Sequence, residues 1–230
     1  MLEFVFTFRK QHCCKELGTI VCEKAVDISF FVFARYKEIR MEQIGNRKKQ
    51  GSIVEILRDA ILSGRIPEET EMTQNELAQD LGVSRMPVRE ALILLEYQGL
   101  IRRLPNNHVR VVRLSQSYFE HLFSLCAKLE SVALCGWAMT DELPADELDF
   151  HRCIYREYPF EMQKKILESI TEIYIYYVIN CGSYDRKSGK KYLAEIRKTA
   201  KEKDVERTIQ EYQKYFRNLT NAMIKEREEN

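Results

Sequence analysis

Apolar residues first settle into a helical rhythm at Ile53, Ile56, Leu57, Ala60 and Ile61, one face of a helix that Ser63-Gly64 closes. An acidic link over residues 67–71 follows. Thr73-Gln74-Asn75-Glu76 then forms a capping box, with Thr at the N-cap and Glu at N3. Leu77, Ala78 and Leu81 give this second helix its buried side, and Gly82 breaks it. After a three-residue turn a third helix opens at the N-cap Ser84, and Pro87 sits in its first turn at little cost. Its Val88, Ala91, Leu92 and Leu95 repeat at i, i+3, i+4 and i+7, and Gly99 closes it. At 100° per residue, Arg85 and Arg89 share one flank of that helix. Two helices joined by a tight glycine turn are a helix-turn-helix. Residues 100–104 and 109–113 read as two strands around Pro105-Asn106-Asn107, a β-hairpin wing.

Beyond Leu114 strand signals stop. Ser117-x-x-Glu120 predicts a cap for a long helix to about residue 139, with Phe119, Leu122, Phe123, Leu125, Cys126, Leu129, Val132 and Ala133 as its apolar residues. A short helix is expected from Pro144 through Tyr155. Ile166, Ile170, Ile173, Tyr174 and Tyr177 mark another, ending at Cys181-Gly182. A helical hairpin over residues 190–202 and 205–226 turns at Asp204. The expected architecture is mainly α: a winged helix-turn-helix domain over residues 41–114 and an all-helical bundle over 115–230. Residues 1–40 sustain neither rhythm, despite the alternation of Phe4, Phe6 and Phe8. They read either as an appended element or as upstream sequence, with the polar leader after Met41 favouring Met41 as the true start.

Composition narrows the class. The chain has 230 residues, 45% hydrophobic and 31% charged, which is ordinary globular composition. No apolar run approaches the roughly 18 residues that span a membrane. The run from Ile28 to Ala34 lacks the flanks of a signal peptide. Seven scattered cysteines without CxxC spacing support neither a zinc site nor a disulfide framework, and suit reduced thiols in the cytoplasm. The net charge is only +1, yet residues 82–114 hold six arginines against Glu90 and Glu96, a local +4. Residues 115–230 hold 18 Lys+Arg against 20 Asp+Glu, a local −2. No phosphate loop, Gly-x-Ser-x-Gly or Cys/His/acid set is present, so an enzyme is not expected.

The strings Ile61-Leu62-Ser63-Gly64-Arg65-Ile66-Pro67 and Asn75 through Leu92, followed by Leu95, Gly99-Leu100-Ile101 and Pro105, resemble the GntR family of bacterial transcription regulators, in its FadR-like branch. The resemblance covers about residues 52–114. It implies a homodimer on a pseudo-palindromic operator in double-stranded DNA, repression by default, and control by a small-molecule metabolite bound in an FCD-like helical domain, here shortened. Carried over residue by residue, it places Asn75, Ser84, Arg85 and Arg89 on DNA, with Arg110 adding charge in the wing. Arginine offers guanine O6 and N7 a bidentate fork, and a helix N-terminus with a hydroxyl suits a phosphate. Met86 replaces the usual threonine and suits a thymine methyl; Asn107-His108 replaces the basic residue and glycine of the usual wing tip, and Asn107, His108 and Arg110 are expected to complete the DNA contacts, His108 on a phosphate or sugar.

The helical half departs further from the family. The family's divalent-metal positions fall here on Glu147, His151, Leu193 and Tyr215, so only Glu147 and His151 could ligate a metal, and two donors leave it undercoordinated. The family's carboxylate-binding arginine is Cys126. A smaller, more apolar effector pocket is expected from Cys126, His151, Tyr174 and Tyr177. The alternative reading is a protein-interaction adaptor whose winged helix binds a partner protein and whose helical half dimerises. It predicts binding that is insensitive to Arg85 and Arg89.

Overall fold

A computed structural model describes residues 52–136 and 143–230. The expectation for residues 1–40 lies outside them. Helix α1 (Ile53–Leu62) is capped by a Ser52/Glu55 box. Strand β1 (Glu71–Met72) precedes α2 (Gln74–Leu81), whose Thr73/Glu76 capping box forms as expected. Gly82 closes α2 in the left-handed region, at φ 61°, where the absent Cβ removes the penalty. Helix α3 (Arg85–Tyr97) follows, and Gly99 turns the chain at φ 73° into β2 (Ile101–Arg103) and β3 (Val109–Val111).

The wing is a three-stranded antiparallel sheet in the order β1-β3-β2. The acidic stretch before α2 is more than the link that its composition predicts. Its end pairs with β3 in the register Glu71↔Arg110 and Met72↔Val109. Met72, Ile101, Val109 and Val111 turn inward from the sheet, joining Leu57, Ile61, Leu77, Leu81, Val88, Leu92 and Leu95 in one core. Burial of that size supplies the stability that so short a sheet cannot.

No strand follows among the described residues. Helix α4 (Gln116–Gly136) is capped two residues earlier than expected: Ser115 Oγ, rather than Ser117, accepts the Tyr118 amide at 3.3 Å. Asp146 caps α5 (Glu147–Arg156), so this helix begins after, not at, Pro144. Helix α6 (Glu161–Ser169) runs through a wide π turn at Ile170–Ile175 into α7 (Tyr176–Asn180). The helical hairpin is α8 (Arg186–Lys201), capped by Asp185 four residues earlier than expected, and α9 (Val205–Glu229), capped by Asp204. Helices α4 and α9 lie along one another, with Phe123 stacked on Phe216 at 5.0 Å between ring centres.

Two polar contacts tie these elements together. The Arg152 guanidinium grips Glu172 through two bonds of 2.7 Å, and the Tyr155 hydroxyl donates to the same carboxylate at 3.0 Å. From the far end of α9, Arg227 donates to the carbonyls of Ile61 and Leu62 at 2.9 and 3.1 Å and to Glu68 at 2.9 Å. Replacing Arg227 with alanine takes a donor from all three acceptors, leaving Ile61 O with only the Gly64 amide at 3.2 Å and Glu68 Oε1 with the Leu114 amide at 3.0 Å. We expect a loss of about 1–3 kcal/mol in denaturant unfolding, with lysine recovering only part because an ammonium lacks the fork. Arg152 holds the Glu172 carboxyl below the ordinary carboxylate range. That contribution is present above the unfolded-state pKa and disappears as the pH falls through the lower folded value. Glu172→Gln therefore flattens the acid side of a stability-against-pH curve without steepening the alkaline side.

Candidate nucleic-acid interface

The outward side of the helix-turn-helix is built from residues that the local fold leaves unpaired. Asn75 stands in the first turn of α2 and is exposed. Ser84 is the N-cap of α3, but its side chain makes no capping hydrogen bond, unlike Ser52 and Thr73. Arg85, Met86 and Arg89 follow on the first turns of α3, all exposed, Met86 to 61%. Among the described residues, Asn75, Ser84, Arg85 and Arg89 carry no intramolecular side-chain hydrogen bond or ion pair. The opposite side of α3, with Val88, Ala91, Leu92 and Leu95, is fully buried, which fixes the helix and aims the two guanidinium groups outward. A free hydroxyl beside open amides and two uncommitted forks suits phosphate and base edges together.

The wing differs. Its tip is closed by Leu104 O accepting the Asn107 amide at 3.1 Å, and Asn107 adopts φ 62°. Asparagine tolerates the left-handed conformation that glycine usually fills, so the tip keeps its shape without a glycine. His108 has its Nδ1 3.7 Å from Glu71. Arg110 bonds Glu71 closely and stands 3.7 Å from Glu69. Arg102 pairs with Glu69 at 3.3 Å, Arg103 with Glu96 at 3.2 Å, and Arg113 approaches Glu68 at 3.8 Å. The local +4 of the sequence is thus largely offset by Glu68, Glu69 and Glu71, which the sheet register brings against it. Sequence reasoning notes the acidic link but leaves its carboxylates out of the local charge, because they precede the helix-turn-helix and reach the arginines only through the sheet register.

In the helical half, Cys126 and His151 are both fully buried around Glu130, but Tyr174 and Tyr177 lie elsewhere. The Tyr174 hydroxyl meets that of Tyr118 at 2.7 Å, and Tyr177 faces Ser63 and Arg65 of the winged domain. The expected pocket therefore separates into three surroundings. A groove of about 390 Å³ does exist at the start of α4, but Arg113, Ser115, Ser117, Tyr118, His121 and Leu122 line it instead.

The expected metal pair is engaged by the protein itself. His151 Nδ1 lies 2.9 Å from both Glu130 oxygens, and Nε2 lies 3.0 Å from the Tyr215 hydroxyl. Tyr215 donates to Glu147 Oε1 at 2.8 Å, and Tyr184 donates to the same oxygen. Leu193 is buried and offers no donor atom. Among the described residues, no group of three His, Cys, Asp or Glu could hold a metal ion. The donor set does not fit a divalent cation. Burial first, and then the Glu147 carboxylate, push the Tyr215 hydroxyl far above its ordinary pKa, so it stays a neutral donor. Burial and Glu130 do the same to the Cys126 thiol, which is therefore not a reactive nucleophile. Glu130 and Tyr184 were not expected from the sequence, having no spacing motif to betray them.

Three helices, a glycine turn and a β-wing with an outward cationic helix define a winged helix-turn-helix DNA-binding domain. The sequence profile "Bacterial regulatory proteins, gntR family" matches residues 49–111, the winged part of the chain. An uncharacterised helix-turn-helix transcriptional regulator of Agrobacterium vitis is 29% identical over 104 residues, 45% of this chain and 61% of that protein. One from Bacillus subtilis (strain 168) is 28% identical over 116 residues, 50% of this chain and 49% of that protein. The gluconate operon transcriptional repressor of Bacillus licheniformis is 34% identical over 92 residues, 39% of this chain and 37% of that protein. The chain spans about half the length of the curated relatives it matches. The solved structure of a GntR transcriptional regulator from Rhodococcus sp. RHA1 superposes with a TM-score of 0.50 at 19% identity, covering 75% of this chain and 96% of that one, and shows the shared fold.

The polar chain through His151 yields a direct expectation. Tyr215→Phe removes the one hydroxyl that joins His151 to Glu147, and both lose a buried partner. Denaturant unfolding should show a loss of about 1–3 kcal/mol.

Proposed function

We propose that the chain is a cytoplasmic, homodimeric, sequence-specific DNA-binding transcriptional regulator of the FadR-like branch, acting as a repressor and released by a small-molecule effector. The observation that carries the reading is the contrast within one domain. The arginines of α3 are exposed and uncommitted, whereas those of the wing are all paired with carboxylates. Exposed cations kept free on a rigid, buried-backed helix are positioned for an external anion.

In this reading α3 enters the major groove from its N-terminal end. Arg85 and Arg89 read base edges, Ser84 and Asn75 bind phosphate, and Met86 contacts a thymine methyl. One such helix has a small footprint, which favours two protomers on half-sites roughly one helical turn apart, about 10 base pairs. Leu125 and Val132, seven residues apart on α4, are 44% and 47% exposed and offer an apolar seam for that pairing. Repression is supported by the function of the gluconate operon relative alone, and effector control by the presence of a separate helical body joined to the winged domain.

Selection of binding sites from random double-stranded DNA tests the reading. An enriched inverted repeat is expected. Arg89→Ala should weaken binding by about 1–3 kcal/mol and relax the preference at one position of each half-site. If no sequence is enriched, or if replacing Arg85 and Arg89 together leaves binding unchanged, the DNA reading fails and a protein partner takes its place.

A further inference from the structure

The outer face of the wing sheet carries a row of charged residues in cross-strand register. Arg102 lies opposite Arg110, and Arg110 opposite Glu71. Two arginines directly opposed on one sheet face repel each other. Here that repulsion is cancelled from the edge strand: Glu71 bonds Arg110, and Glu69 reaches Arg102 at 3.3 Å and Arg110 at 3.7 Å.

These carboxylates are not on a loose loop. The Glu69 amide donates to Val111 O at 3.1 Å, and Thr70 O accepts the Val111 amide at 3.0 Å. Glu69 itself is held at φ 60°, a left-handed conformation uncommon for a residue with a side chain. The backbone therefore anchors both acids on the strand beside the arginines.

We propose that Glu69 and Glu71 act as built-in competitors for the DNA phosphates that Arg102 and Arg110 would otherwise contact, making the wing electrostatically quiet and leaving discrimination to α3. The inference rests on the DNA-binding reading above. Phosphate contacts hold any sequence equally, whereas base contacts distinguish sequences. A wing arginine turning to a phosphate must leave its carboxylate partner, which then stands unneutralised beside the same phosphate. The pair thus removes affinity that carries no sequence information. Glu71 is a specificity-setting residue that touches no base.

The test is a double-mutant cycle on the full chain, reading the salt dependence of binding to operator and to random-sequence DNA. In the unaltered background, Arg110→Ala should change affinity for random DNA by less than about twofold, because that guanidinium is already engaged. Glu71→Gln should tighten random-DNA binding more than operator binding. It should also steepen the slope of log K against log salt by about 0.9 for each further phosphate that the protein neutralises, which is roughly a threefold affinity difference between about 50 and 200 mM salt. The combination Glu71→Gln with Arg110→Ala should abolish that tightening.

Tightening of equal size with and without Arg110 would overturn the proposal, since it would reflect only the removal of a nearby negative charge. No tightening would overturn it as well. Glu69→Gln, tested in the same cycle against Arg102→Ala, decides the question if Glu71→Gln alters the melting temperature. Should the unaltered protein and every variant fail to bind DNA, the DNA reading falls and the proposal with it; binding by the unaltered protein separates the two failures.

Discussion

The winged domain is tied to the helical body through the guanidinium of Arg227. The last carbonyls of a helix have no partner within the helix, and α1 has no basic residue in its own last turn to satisfy them. The missing donor comes from the far end of the chain. Arg227, with its side chain only 11% exposed, supplies hydrogen bonds to Ile61 and Leu62 and an ion pair to Glu68. Glu68 in turn accepts the amide of Leu114, which lies just ahead of α4. The end of α1, the start of the acidic edge and the link into the helical body are thus joined at one guanidinium. Gly64 faces the Arg227 backbone so closely that a Cβ there would approach its carbonyl oxygen at 3.4 Å. Because α1 packs on α3, the orientation of α3 is referred through this contact to the helical body.

The interior of the helical body follows a different rule. Buried polar groups need partners, and here they find them among themselves. Glu130, His151, Tyr215, Glu147 and Tyr184 form a continuous chain, while Gly189 lets α8 pass so near Glu147 that a Cβ would sit 2.8 Å from either carboxylate oxygen. The tyrosines take up the room and the donor positions that a cation would require. The centre of this domain is held by hydrogen bonds among its own side chains.

The winged domain was legible from the sequence because its signals are local. The capping box at Thr73, the glycine turn at Gly82 and the apolar repeat of α3 each depend on neighbours within a turn or two. The register Glu71↔Arg110 was not legible: it joins residues 39 apart, and an edge strand of two residues has too little alternation to stand out. The charge of the wing was misjudged for the same reason, since counting along the chain cannot see a carboxylate delivered by a sheet. In the helical body the helices could be read, but the gathering of Glu130, His151 and Tyr215 could not. Packing between α4, α5 and α9 decides it, and no spacing rule reaches across three helices.

The wide turn at Ile170–Ile175 has a bearing on how this domain can vary in length. A π turn holds one residue more than an α turn while the helix on either side continues in its own phase. Glu172 within it meets Arg152, and Tyr174 meets Tyr118, so the extra residue is absorbed without breaking either contact. Elsewhere in a helix, one added or removed residue rotates all that follows by about 100°. Here a relative lacking that residue would superpose on both flanks, and an alignment must open a single gap at this place or misassign every position after it.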